Sequence, residues 1–203
     1  LNFPQDADYK PYEENKDNIS PFEFIPWVLG QCSSIDEVKG LLSKINLVNT
    51  NYSEQLPLSP LHWIISDEKE SITVESVKEG LKVYKNPYGV LTNNPTFDYH
   101  LMNMNHYMHL HEGPSTNQLS NQYTLDNYSL GLGAFGLPGD YSSASRFVRA
   151  TYVKSKSAIG NSEKENVNQV KNDIEEKLEN IIGTVKIEDT MSYSSYQGEI
   201  DEG

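Results

Sequence analysis

The chain has 203 residues and carries 16 Lys and Arg against 29 Asp and Glu, for a formal net charge of -13. That balance argues against binding to a phosphate backbone, which needs a basic face. No apolar run approaches the roughly 20 residues that span a bilayer, and the single cysteine, Cys32, excludes an intrachain disulfide and fits a reducing, cytoplasmic setting.

Residues 1–19 are polar and irregular, and Pro4, Asp6 and Asp8 stand where a secretory leader would be basic and apolar. Ser20-Pro21-Phe22-Glu23 reads as a capping box with proline at the first helical position. It predicts a helix to about Cys32, kinked where Pro26 removes a backbone donor. Ser34-Ile35-Asp36-Glu37 is a second capping box, followed by Ile35, Val38, Leu41, Leu42 and Ile45 at helical spacing. Two such helices in succession predict an antiparallel hairpin.

Residues 46–60 read as a loop punctuated by Pro57 and Pro60. Strands are predicted at 61–67, 71–77, 81–84 and 90–93, joined by short turns as an antiparallel meander. Trp63 and Ile65 share one face of the first; Ile72 and Val74 lie opposite Thr73 and Glu75 on the second. Residues 97–110 are expected to be helical, and 111–142 form a Gly- and Asn-rich loop. Ser142 or Ser143 caps a helix over 144–156. A last helix carries Val167, Val170, Ile174, Leu178 and Ile181 on one face, and the acidic end from Tyr193 is expected to be disordered.

Three stretches carry chemistry. In Gly89-Val-Leu-Thr-Asn-Asn-Pro-Thr-Phe-Asp98 a strand delivers the amides of Asn93 and Asn94 and is then halted by Pro95, which has no N–H. A strand-end amide is well placed to donate to a developing oxyanion. Gly136-Leu-Pro-Gly-Asp140 and Ser145-Arg146-Phe147 are the other two stretches. The chain has only two arginines, Arg146 and Arg149, against fourteen lysines, and apolar neighbours on their helix predict that one faces inward. His100, His106, His109 and His111 lack the carboxylate or cysteine that would complete a metal-ligand spacing, so no metal site is expected. Cys32 reads as a small apolar residue, and Gly131, Gly133, Gly136 and Gly139 make no phosphate loop.

These blocks, with Leu1-Asn2-Phe3-Pro4, Phe22-Glu23-Phe24-Ile25-Pro26, Leu61-His62-Trp63-Ile64-Ile65 and Glu79-Gly80-Leu81-Lys82-Val83, resemble the choloylglycine hydrolase family of bile salt hydrolases and penicillin V acylases. The likeness is strong to about Val153 and fades after Ser157. It divides the chain into a choloylglycine hydrolase-like region, 1–157, and a divergent helix and acidic tail, 158–203.

The resemblance implies an α/β (α+β) fold, an incomplete α/β/β/α sandwich of the N-terminal-nucleophile class. It implies hydrolysis of a linear amide, that of a glycine- or taurine-conjugated bile salt, without a cofactor. In the family an N-terminal cysteine is the nucleophile and its own α-amino group is the base. Those groups match positions upstream of Leu1, so the isolated chain is expected to be inactive. A complementary N-terminal segment or a homo-oligomer would then cover Ile64, Ile72 and Val74. Asn2 and Asn93 fall on the family's oxyanion donors, and Arg146 on the arginine beside its thiol. Tyr52 and Leu56 fall in the loop that lines the pocket for the substrate's apolar body. Neither a nucleic acid nor a membrane is expected as partner. The alternatives are a fragment of a penicillin V-type or acyl-homoserine-lactone acylase, and a binding remnant without catalysis.

Overall fold

A computed structural model describes residues 1–55 and 57–157. Leu56, the last predicted helix and the acidic end lie outside the described residues. Of the two units into which the chain divides, Leu1–Ser155 is the one described.

The first residues are not frayed. Asn2 bridges Leu61 in antiparallel fashion, Phe3 N donates to Pro60 O at 2.8 Å, and His62 N donates to Leu1 O at 3.1 Å. Phe3 is fully buried, with its ring stacked on that of His62 at 4.3 Å. The polar tract that follows contains β1, Asp17–Ile19, which pairs in parallel with β2, Ile45–Leu47. Neither strand is legible locally, because three residues are too few for a period to show. A side-chain link supports the pair instead. Asn46 Nδ2 donates to Asn18 Oδ1 at 2.9 Å and to Pro11 O at 2.8 Å.

Helix α1 spans Phe24–Leu29 and α2 spans Ile35–Leu42. The first begins later than its capping box suggests, although Ser20 N does donate to Glu23 Oε2 at 3.2 Å. Pro26 therefore sits in the first turn, where a missing N–H costs nothing, so it is not a mid-helix kink point. The second cap forms at Ser34, whose Oγ accepts from Glu37 N, while Glu37 Oε2 accepts from Ser33 N at 2.7 Å, one residue before the N-cap of the predicted box. That helix ends at Leu42, and Ile45 belongs to β2.

Strands β3, His62–Ser66, β4, Ser71–Val77, and β5, Gly80–Lys85, form the predicted antiparallel meander with β4 in the centre. Asp67 makes the first turn. Its Oδ1 accepts from Lys69 N and Glu70 N, and its Oδ2 accepts from Ile35 N at 2.9 Å, so one carboxylate organises a turn and the start of α2. These backbone donors, Ile35 first, pull its pKa down to about 2.

Both faces of β4 are covered. On one, Trp63, Ile72 and Val74 join Phe24 and Val28 of α1 and Ile35, Val38 and Leu42 of α2 in a single apolar cluster. Ile72 and Val74 are fully buried here, contrary to the expectation that they would lack a partner layer; Ile64, on the other face, is 36% exposed. That other face carries Thr73 and Glu75, which are buried as completely as the apolar residues.

No strand forms at 90–93. Asn86, itself buried, takes over the chain there: its Oδ1 accepts from Gly89 N at 2.8 Å and its Nδ2 donates to Val90 O and to Thr73 Oγ1. Gly89 has φ +57°, a conformation that disfavours a side chain. Helix α3, Phe97–Asn103, passes into a 3-10 turn, Met104–Tyr107, so the predicted 97–110 helix is shorter and tighter at its end. Residues 108–142 contain no helix or strand. Helix α4 spans Ser143–Lys156. Ser142 caps it by accepting from Ser145 N at 3.2 Å. Among the described residues no helix is long and apolar enough to cross a membrane.

Candidate active site

Three segments far apart in sequence converge where α3 and α4 begin. Asn93 Nδ2 donates to Asn2 O at 2.8 Å, and Arg146 Nη2 donates to Asn93 Oδ1 at 2.7 Å. Arg146 Nε also donates to Tyr141 O at 3.2 Å. The structure thus joins Asn2, Asn93 and Arg146 in one hydrogen-bonded chain. A carbonyl can only accept and a guanidinium can only donate. The two ends of the Asn93 amide are therefore assigned: Oδ1 faces Arg146 and Nδ2 faces Asn2. One of the two Nδ2 protons is used by Asn2 O.

The backbone of Asn93 is fixed as well. Its carbonyl accepts from Ser143 Oγ at 2.8 Å and lies 3.1 Å from His100 Nε2. Next to it, Asn94 Nδ2 donates to Asp6 Oδ2 at 2.5 Å, a second tie to the N-terminal segment. Thr92 Oγ1 donates to Ser143 O at 3.0 Å. Asp6, His100 and Ser143 carried no sequence signal for this role, since no motif spacing relates them to Asn93.

Both arginines differ from the inward-facing expectation. Arg146 is exposed and Arg149 half-buried. Arg149 Nη1 donates to Pro138 O and Asp140 O, so it ties the preceding loop to α4. Asp140 accepts from Ser142 N and from Ser145 Oγ at 2.6 Å. The hydroxyl of Ser142 first and then that of Ser145 hold its carboxyl far below the usual carboxylate range.

The other expected residues are not brought to this cluster. Tyr52 is 69% exposed and makes an edge contact with Phe22 at 5.6 Å. Leu56 lies outside the described residues. Cys32 is half-buried against the apolar cluster, and burial first, then the Glu37 charge, push its thiol up. Among the described residues no group of three or more His, Cys, Asp or Glu could hold a metal ion.

A family model described as linear amide C–N hydrolases, choloylglycine hydrolase family, matches residues 1–203. The chain belongs to the choloylglycine hydrolase family. The bile salt hydrolase/transferase of Lactiplantibacillus plantarum is 58% identical over 169 residues, 83% of this chain and 52% of that protein. The bile salt hydrolase/transferase of Clostridium perfringens is 42% identical over 76% of the chain and 47% of its own length. The chain thus spans about half the length of the curated relatives it matches. A crystal structure of a variant conjugated bile acid hydrolase from Clostridium perfringens superposes with TM-score 0.72 at 38% identity, covering 86% of this chain and 55% of that one. Penicillin V acylase from Agrobacterium tumefaciens shares the fold, with TM-score 0.56 at 21% identity over 84% of this chain and 45% of that one. The fold class is accordingly α+β and N-terminal-nucleophile-hydrolase-like, as the family resemblance implies.

Proposed function

We propose that the protein carrying this chain hydrolyses linear amides, with glycine- or taurine-conjugated bile salts as substrates. The observation that supports this most is the fixed Asn93 amide. Arg146 holds its Oδ1 and Asn2 O takes one Nδ2 proton, so the remaining N–H has a set direction before any substrate arrives. A donor set in advance stabilises a developing oxyanion without reorganising during the reaction.

In this proposal the nucleophile is the N-terminal cysteine that the family resemblance assigns to a position upstream of Leu1. Its thiol gives its proton to its own α-amino group, and the thiolate attacks the substrate carbonyl as the C=O π electrons move onto oxygen. Asn93 and the side chain of Asn2 hold that oxyanion. It collapses to an acyl-enzyme as the C–N bond breaks and the amine, glycine or taurine, leaves with the proton that the α-amino group took from the thiol. Water then frees the bile acid. Arg146 plays two parts: its charge favours the thiolate over the thiol, and its Nη2 orients Asn93. Tyr52, an exposed ring beside Phe22, is proposed to cover the apolar body of the substrate, as is Leu56.

The high identity to bile salt hydrolases supports this substrate class over the penicillin V-type reading, for which the likeness concerns the fold alone. The test is glycine or taurine release from glycocholate and taurocholate by the natively produced protein. Turnover is expected, and Asn93→Ala should lower kcat about 100- to 1,000-fold. No release, or release indifferent to Asn93→Ala, overturns the proposal.

A further inference from the structure

Helix α3 carries a buried histidine that the proposed reaction does not use. His100 is fully buried and its ring stacks on Phe147 of α4 at 4.6 Å with 14° between the planes. Of its two nitrogens, Nε2 lies 3.1 Å from Asn93 O, while Nδ1 is buried with no hydrogen-bond partner. Because a carbonyl oxygen only accepts, Nε2 must carry a proton, and in the neutral ring Nδ1 is then the bare acceptor.

That orphaned nitrogen makes histidine a poor choice for packing alone. A phenylalanine would fill the same stacked space against Phe147 and strand no polar atom. What histidine supplies and phenylalanine does not is the N–H aimed at Asn93.

The rest of the neighbourhood points the same way. Ser143, at the start of α4, donates to the same carbonyl at 2.8 Å. The start of α3 is held from the sheet: Phe97 N lies 3.1 Å from each carboxylate oxygen of buried Glu75, whose Oε1 is also 3.0 Å from His62 Nδ1. Thr96, at the cap of α3, gives that helix no side-chain cap of its own. The sheet therefore fixes α3, α3 fixes His100, and His100 and Ser143 fix the backbone from which the Asn93 amide projects.

We propose that His100 is a positioning residue that sets the orientation of the Asn93 side-chain amide through the Asn93 carbonyl. It acts through Asn93 and does not touch the substrate. Burial first lowers the pKa of the ring, and its bond to Asn93 O and the Glu75 charge only partly oppose this, which favours the neutral ring. The proposal rests on the amide-hydrolase reading for its catalytic consequence, but its geometry can be read separately.

The experiment compares His100→Phe, which keeps the stack and removes the donor, with His100→Gln, which keeps a donor. In the natively produced protein, His100→Phe should lower kcat about tenfold with KM nearly unchanged, and His100→Gln should restore most of it. The Asn93 side-chain amide resonance, assigned by its loss in Asn93→Asp, should shift in His100→Phe and stay near its original place in His100→Gln. Wild-type protein that turns over no bile salt counts against the hydrolase reading only, because the resonance still reports on the positioning. An unmoved resonance in His100→Phe overturns the proposal. So does a kcat loss of equal size in both variants, since a donor-retaining side chain would then rescue nothing.

Discussion

The two faces of β4 are buried to the same degree by opposite means. One presents Ile72 and Val74 to Trp63, α1 and α2, and those two side chains are held by apolar contact. The other presents Thr73 and Glu75, and each buried polar atom of those two side chains has a named partner: Asn86 for Thr73, and His62 with Phe97 N for Glu75. Apolar contact is non-directional and responds to volume, so that face tolerates small changes in proportion to the atoms lost. Hydrogen bonding in a dry interior is directional, and a missing partner strands the other. The directional face is also the one from which α3 and the Asn93 carbonyl are hung, so the sheet's rigidity reaches the candidate site from that side.

The strongest way to break this contrast is Glu75→Ala. It strands both His62 Nδ1 and Phe97 N in the interior, and should lower the free energy of unfolding by about 2–6 kcal/mol in urea denaturation, at about 1–3 kcal/mol for each stranded group. A loss below about 1 kcal/mol would mean that the polar face is as forgiving as the apolar one. Ile72→Val is the matching probe on the other face of the same strand. It removes one buried methylene and should cost only about 0.5–1.5 kcal/mol, with kcat unchanged.

The smallest expected effect lies at the turn before β4. The Asp67 pKa is depressed to about 2 by backbone donors, against about 3.9 in an unfolded chain. A depressed carboxyl contributes stability that is present above pH 4 and is lost as pH falls through about 2. The thermal midpoint of Asp67→Asn should accordingly show a weaker pH dependence than wild type between pH 4 and pH 2. Parallel curves over that range would remove Asp67 from the acid response.

Local pattern determined a good part of this protein. The box at Ser34 and the spacing of Ile35, Val38 and Leu42 specify α2, because a cap and a 3.6-residue period are written within one element. Alternation and short polar turns specify β3, β4 and β5, and they put Glu75 on the face of β4 away from Val74. Alternation does not say that the second face is covered too, since burial depends on what packs there. The parallel pair of β1 and β2 was not legible, because its partners are three residues long and bound by a cross-strand amide.

The candidate site divides in the same way. The family resemblance marked Asn2, Asn93 and Arg146 one by one. Only tertiary structure joined them, across separations of 91 and 53 residues, and gave the Asn93 amide its direction. The residues that hold Asn93 from behind, His100 and Ser143, were set by the fold alone. A hydrogen bond is fixed by where two atoms meet in space, and residue order along a chain records a meeting only when both atoms belong to one turn of it.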